Sequence, residues 1–138
     1  MNEIEARLRD SFGRQTMMQT LGAAMDSAAE GAVRISAPIA PHVLQQQGAA
    51  HAGLAFSLGD SAAGYAALSV LPAGAEVVTV EMKINLLAPA VGDRLVAEGR
   101  VLRPGRRIVV VASDVFAEGP KGRKHVATML GTMVPVEG

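Results

Sequence analysis

The sequence predicts an α+β domain in which one long antiparallel sheet wraps a single central helix. Three observations predict it. Residues 51–69 are apolar or small on almost every side and carry one charge, Asp60, the pattern of a helix buried nearly all round. After Glu76 the chain reads as successive period-two stretches separated by Pro- and Gly-containing turns, the pattern of antiparallel strands. A sheet with one hydrophobic face needs a cover, and this helix is apolar enough to provide it. At 138 residues the chain makes one domain, 1–138, whose core needs neither a disulfide nor a structural metal.

The elements follow in order. Ile4, Leu8 and Phe12 recur every four residues among Glu3, Glu5, Arg7, Arg9 and Asp10, which predicts a short amphipathic helix inside an N-terminal helical segment, 1–18. From Met25 to Ala29 the pattern is ambiguous, since alanine favours a helix. Glu30-Gly31 reads as a turn, and Val33, Ile35 and Ala37 alternate with polar residues as in a strand. Pro38, Pro41 and the run Gln45-Gln46-Gln47-Gly48 make a loop before the apolar helix, which Pro72 and Gly74 end. Val78, Val80, Met82, Ile84 and Leu86 then form one face of a strand, with Thr79, Glu81, Lys83 and Asn85 on the other. Leu95, Ala97, Gly99 and Val101 continue after a break at Pro89–Asp93, the β-branched run from Ile108 to Phe116 follows a Pro104-Gly105 turn, and the last strand runs from Val126 to Val136. Short connections predict that these strands pair as antiparallel neighbours in sequence order.

Composition excludes several classes of function. Thirteen basic and thirteen acidic residues leave no net charge, so no general field would hold nucleic acid or an anionic membrane. Phe12, Phe56, Phe116 and Tyr65 are the only aromatic residues, too few for a base-stacking surface. The absence of cysteine removes disulfide scaffolds, thiol nucleophiles and zinc fingers. The first ten residues are charged and lack a secretory signal, and the uncharged span 61–75 falls short of the roughly 20 residues a membrane helix needs, so a cytoplasmic location is expected. A weakly charged surface points further to apolar area covered by a second copy of the chain.

Asp60 is the first candidate for chemistry. It is the only charged side chain between Arg34 and Glu76, and it lies in the most apolar segment. Burying an unpaired carboxylate costs several kcal/mol, so Asp60 is paired, protonated or placed for use. Desolvation would raise its pKa toward the range of a general base; a capping or subunit-pairing role is the alternative. His51 stands at the start of the helix, where free N–H groups and a partial positive charge suit a carbonyl oxygen, with Ala52 and Gly53 as the candidate backbone donors. The His51 side chain itself reads as an orienting, hydrogen-bonded residue. His42 and His125 form no metal-ligand spacing with it, so no metal site is expected. Two basic clusters, Arg103, Arg106 and Arg107 at one turn and Lys121, Arg123 and Lys124 at the next, are either solvated turns or a clamp for a phosphorylated ligand. Serine-nucleophile and phosphate-loop motifs are missing.

The stretch Gln45-x-x-Gly48-x-x-His51-Ala52-Gly53-x-x-Phe56-x-Leu58-Gly59-Asp60-x-Ala62 resembles the signature of hotdog-fold acyl-CoA thioesterases of the phenylacetate-degradation type. That family usually shows N-x-x-G-x-x-H-G-G with an Asp nine residues after the His, on the central helix. The segments VEMKINLLAPAVGD, GRRIVVVASDVF and HVATMLGT resemble its later strands, so the likeness covers about residues 20–135. The resemblance implies Asp60 as nucleophile or general base, the Ala52 N–H as the donor that polarises the thioester carbonyl, Gln45 in the place of an Asn that positions thioester or water, and Thr79 in the place of a Ser or Thr near the Asp. It implies a site shared across a homodimer, with Gln45 and Ala52 of one subunit facing Asp60 and Thr79 of the other, and dimers that pair into tetramers. His51, Gly53, Arg106, Arg107, Lys121 and Arg123 are then candidates for binding substrate, the basic residues holding the phosphates of coenzyme A, which is part of the substrate rather than a cofactor. Ala52 in place of Gly would be strained if that position required a positive φ, and Gln45 reaches one methylene farther than Asn. A non-catalytic acyl-CoA-binding protein is the alternative reading; the hydratase branch of the fold ranks behind both, because its Asp and His pair on a catalytic loop is missing. Leu54, Leu58, Met82 and the surroundings of Tyr65 are the expected pocket walls, compatible with a small, medium-chain or aryl acyl group.

Overall fold

The computed structural model describes residues 1–138. The N-terminal segment forms α1 (Glu3–Gly13) and a one-turn α2 (Thr16–Thr20). Asn2 caps α1 by accepting the Glu5 N–H at 2.8 Å, and Leu8, one of the three residues spaced every four, is fully buried. Strands β1 (Ala24–Ala29) and β2 (Ala32–Pro38) form a hairpin about Gly31, whose φ of 81° suits glycine. The alanine-rich segment that reads ambiguously is thus a strand, because pairing along β2 outweighs alanine's preference for a helix. A 3₁₀ turn, Pro41–Val43, leads into the central helix α3 (Ala52–Ser69), followed by β3 (Ala75–Leu86), β4 (Arg94–Pro104), β5 (Val109–Gly119) and β6 (Gly122–Glu137).

All six strands form one antiparallel sheet, and α3 packs on its concave face. The strand order is β1-β2-β4-β5-β6-β3. Sequence-order pairing therefore holds for β4, β5 and β6 but not for β3, which leaves β4 and pairs with β6 at the opposite edge. The physical reason is the linker between β3 and β4. It crosses the ends of the sheet, tied by Leu87 N–H to Val126 O, Asp93 N–H to Glu118 O and Ala50 N–H to Ala90 O, and so passes beside the start of α3.

Helix and sheet touch backbone to backbone. A Cβ on Gly99 would run into the main chain of Ala62 and Ala63, and one on Gly59 would meet Met129. Buried Ser113 on β5 donates to the Gly59 carbonyl at 2.6 Å, which pins the helix at the peptide before Asp60. The helix is not buried all round, as its sequence suggests. Gly53 and Phe56 are exposed and Ser57, Asp60, Ser61 and Gly64 half-buried, a stripe that this chain covers only in part. The alternation in β3 is also broken. Opposite Met133 and Thr132 the register slips at Val80, a β-bulge. Before the bulge Val77 and Thr79 face the helix; after it Met82 and Ile84 do. Val78 and Val80 consequently stand exposed, where simple alternation places them with Met82 and Ile84 in the core.

Candidate active site

Asp60 projects from the open stripe of α3, half-buried, and its Oδ1 accepts a 2.8 Å hydrogen bond from Thr79 Oγ1 on β3. The bulge at Val80 is what lets Thr79 face the helix. Burial pushes the Asp60 carboxyl above its ordinary value, and the Thr79 hydrogen bond opposes that in part. No cation pairs with it. An unpaired, desolvated carboxylate held by a single hydroxyl is a stronger base or nucleophile than a solvated one.

The start of α3 is built differently. His51 is its N-cap, and its Nδ1 accepts the Gly53 N–H at 2.8 Å. That bond fixes Nδ1 as the unprotonated nitrogen and uses the Gly53 donor. Of the two candidate backbone donors only the Ala52 N–H makes no hydrogen bond within the chain. Ala52 carries no strain, since no residue other than glycine has a positive φ. Gln45 Oε1 accepts from the Gln47 and Ala49 N–H groups at 2.6 and 3.3 Å, so this side chain braces its own loop and leaves its amide N–H groups to donate. Gln45, His51 and Ala52 line one cavity of ≈ 600 Å³, closed on the other side by Pro89, Ala90 and Val91 of the β3–β4 linker. Asp60 and Thr79 line a separate one of ≈ 150 Å³. Within one chain the two groups do not meet: eight residues of helix separate Ala52 from Asp60, about 12 Å.

The two basic turns lie at opposite ends of the sheet. β5 runs between them for 11 residues, about 36 Å. Lys121 and Arg123, with Lys124, border a cavity that shares Pro89 and Val91 with the one at the helix start. Arg106 instead lies beside Leu71, Pro72 and Glu137, at the far end of α3, with Arg107 next to it. Arg123 is already engaged: it pairs with Glu98 at 2.8 Å and lies 3.6 Å from the centroid of the Phe116 ring. Lys121 and Lys124 make no ion pair. Leu54 and Leu58, expected as pocket walls, are buried in the core against the sheet, and Met82 packs there too, because the inward side of α3 is the side that meets β-strands. Tyr65 does line the cavity of Asp60, together with Ser11 and Gln15 from the N-terminal segment. Those last two residues escape the sequence reading. Their only signal is that they are polar and four apart at the end of an amphipathic helix.

Comparisons with known proteins agree with this arrangement. The model of the thioesterase superfamily matches residues 47–123, more than half of the chain. A thioesterase family protein of Silicibacter pomeroyi is 39% identical, with a TM-score of 0.93 over 96% of this chain and 97% of that one. The PaaI protein of E. coli, from the phenylacetic acid degradation operon, is 25% identical with a TM-score of 0.82 over 94% and 91% of the two chains. A Bacillus halodurans protein whose structure contains CoA is 26% identical, with a TM-score of 0.76 over 94% and 83%. A six-stranded antiparallel sheet wrapped on one helix is the hotdog architecture, and the chain belongs to the thioesterase superfamily as a thioester hydrolase.

Proposed function

We propose that the protein hydrolyses acyl-CoA thioesters at two sites shared between two copies of the chain. The observation that carries the proposal is the Asp60 carboxylate, raised in pKa, bonded to Thr79 and half-buried on the part-covered stripe of α3. A second copy laid antiparallel over that stripe would cover Phe56 and the exposed edge residues Val78 and Val80, and would bring its own Ala52 toward this Asp60. In such a site the Ala52 N–H, at a helix start, polarises the thioester carbonyl and takes up the developing negative charge on oxygen. Gln45 adds an amide N–H on the same side.

Asp60 then acts in one of two ways. As a general base it takes a proton from water while the water oxygen bonds to the carbonyl carbon; as a nucleophile it forms a mixed anhydride that water cleaves. In both routes the C–S bond breaks and coenzyme A leaves as a thiolate, which needs little help from an acid. Lys121 and Lys124, beside the helix-start cavity, would hold its phosphates. The similarity to a protein whose structure contains CoA supports that ligand.

Release of coenzyme A from a panel of acyl-CoAs, wild type beside Asp60→Asn, tests the proposal. Loss of about 10²–10⁴ in rate is expected, with folding intact by thermal melting; an unchanged rate overturns it. Single-turnover trapping of the mixed anhydride separates the two routes, since only the nucleophilic one attaches the acyl group to Asp60.

A further inference from the structure

Thr79 has one hydroxyl proton and two acceptors for it. Its Oγ1 lies 2.8 Å from Asp60 Oδ1 and 3.2 Å from Met133 Sδ. Met133 stands directly opposite Thr79 in the β3–β6 pair, at the last residue before the bulge. Its side chain is 1% exposed, in the apolar cluster of Ala63, Val109 and Val111, with its methyl carbon beside Gly64 of α3. A leucine would fill that space nearly as well. What the sulfur adds is a weak, uncharged acceptor for the hydroxyl.

The charge on Asp60 decides between the two acceptors. A hydrogen bond to an ionised group is roughly twice as strong as one between neutral groups, so the hydroxyl favours Asp60 while the carboxylate is charged. Hydrolysis removes that charge by either route. As a base Asp60 gains a proton from water; as a nucleophile it becomes one half of an anhydride. Thr79 is exposed on a strand at the edge of the sheet, so a turn about its Cα–Cβ bond would then trade the site for solvent. Met133 Sδ opposes that turn, because it accepts from the hydroxyl in the same orientation that faces Asp60. The other titratable groups lining the cavity are Tyr65 of α3 and Glu76 of β3. The N-terminal segment adds Ser11 and Gln15, β6 adds Met133 alone, and no Lys, Arg or His lines it, so no cation competes with the hydroxyl for Asp60.

We propose that Met133 is a positioning residue for hydrolysis, its sulfur holding the Thr79 hydroxyl in the site while Asp60 is uncharged, so that the bond to Asp60 re-forms when the charge returns. Thr79 neither gains nor loses a proton; it turns its own between two acceptors. The inference rests on the catalytic part given to Asp60 above.

Met133→Leu and Met133→Ile, which remove the sulfur with side chains of different shape, test it. The sulfur accepts best when Asp60 is uncharged, so its loss disfavours the uncharged form. The titration midpoint of Asp60, followed by NMR of its carboxyl carbon, should fall by about half a pH unit in both variants. In Thr79→Val it should rise. The acidic limb of the pH–rate profile should follow the midpoint, with kcat at neutral pH down about two- to fivefold and KM unchanged. Once Thr79→Val has removed the hydroxyl, further loss of the sulfur should move neither midpoint nor limb. A midpoint that stays or rises in both sulfur-free variants overturns the inference. So does a fall that persists without the hydroxyl, or one that turnover does not follow. Each of these leaves the thioesterase reading intact as long as Asp60→Asn abolishes hydrolysis. Hydrolysis unaffected by Asp60→Asn removes both.

Discussion

The start and the middle of α3 sit on one helix and are built on opposite principles. At residue 52 the reactive feature is a backbone N–H, left free because His51 caps its neighbour Gly53, and the surroundings are loop. At residue 60 it is a side chain, held by a hydroxyl from a strand and anchored from beneath by Ser113. Under the proposed mechanism the first should tolerate change of side chain, because the chemistry there belongs to the main chain, and the second should tolerate none. About 12 Å of helix keeps the two apart within one chain, so the proposed reaction needs a partner copy to complete each half.

Separating the two halves between chains tests this contrast most severely. Ala52→Pro removes the N–H at a position where proline suits the first turn, and His51, at φ −62° and ψ 142°, already has the conformation that precedes a proline. The variant should fold and lose about 10²–10³ in kcat. Mixed with inactive Asp60→Asn under conditions that exchange subunits, it should recover about a quarter of wild-type activity, since half the dimers carry one intact site of their two. No recovery would mean that each chain completes its own site.

A smaller effect is expected at Thr79. Its hydrogen bond lowers the Asp60 pKa against burial, so Thr79→Val should move the acidic limb of the pH–rate profile to higher pH and reduce kcat about tenfold at neutral pH. An unshifted limb would show that Asp60 is not the group titrating there. The two basic turns separate by their position. Lys121→Ala with Lys124→Ala should raise KM several-fold in a salt-dependent way, whereas Arg106→Ala with Arg107→Ala, at the far end of the sheet, should leave it unchanged within a single pair of sites. The reverse result would place the coenzyme across the other end.

The smallest expected effect is on stability. A carboxyl that binds its proton more tightly folded than unfolded makes the fold lose stability as pH rises from the ordinary carboxylate value through the raised one. Asp60→Asn removes that loss, so its melting temperature should exceed that of the wild type at pH 7 and match it at pH 3. Equal melting curves at both pH values would indicate that the carboxylate is not held at a cost.

How much of this is legible in the sequence differs between the same two places. The helix and Asp60 are, because a lone charge in an uncharged stretch has few innocent explanations. The family resemblance already implies Ala52 over Gly53, but the physical reason is not legible, since it turns on where the His51 ring points. The path of β3 is hidden for a reason of length. Leu87–Asp93 can span about 24 Å, enough to cross three strand spacings of about 14 Å, so a short linker does not force its strands to pair. The cluster of Ser11, Gln15 and Tyr65 beside Asp60 is hidden because these residues meet only through tertiary packing of the N-terminal segment on α3.

The bulge at Val80 makes β3 a strand written in two frames. Up to Thr79 its odd-numbered residues face the helix; from Met82 on, its even-numbered ones do. Deleting Val80 would merge the two frames, since Thr79 and Glu81 already pair with the consecutive residues Met133 and Thr132, and Thr79, Met82 and Ile84 would share one face of a regular ladder. An insertion outside the bulge would instead turn either Thr79 from Asp60 or Met82 and Ile84 from the core, so the length of this strand is constrained although most of its residues are exposed.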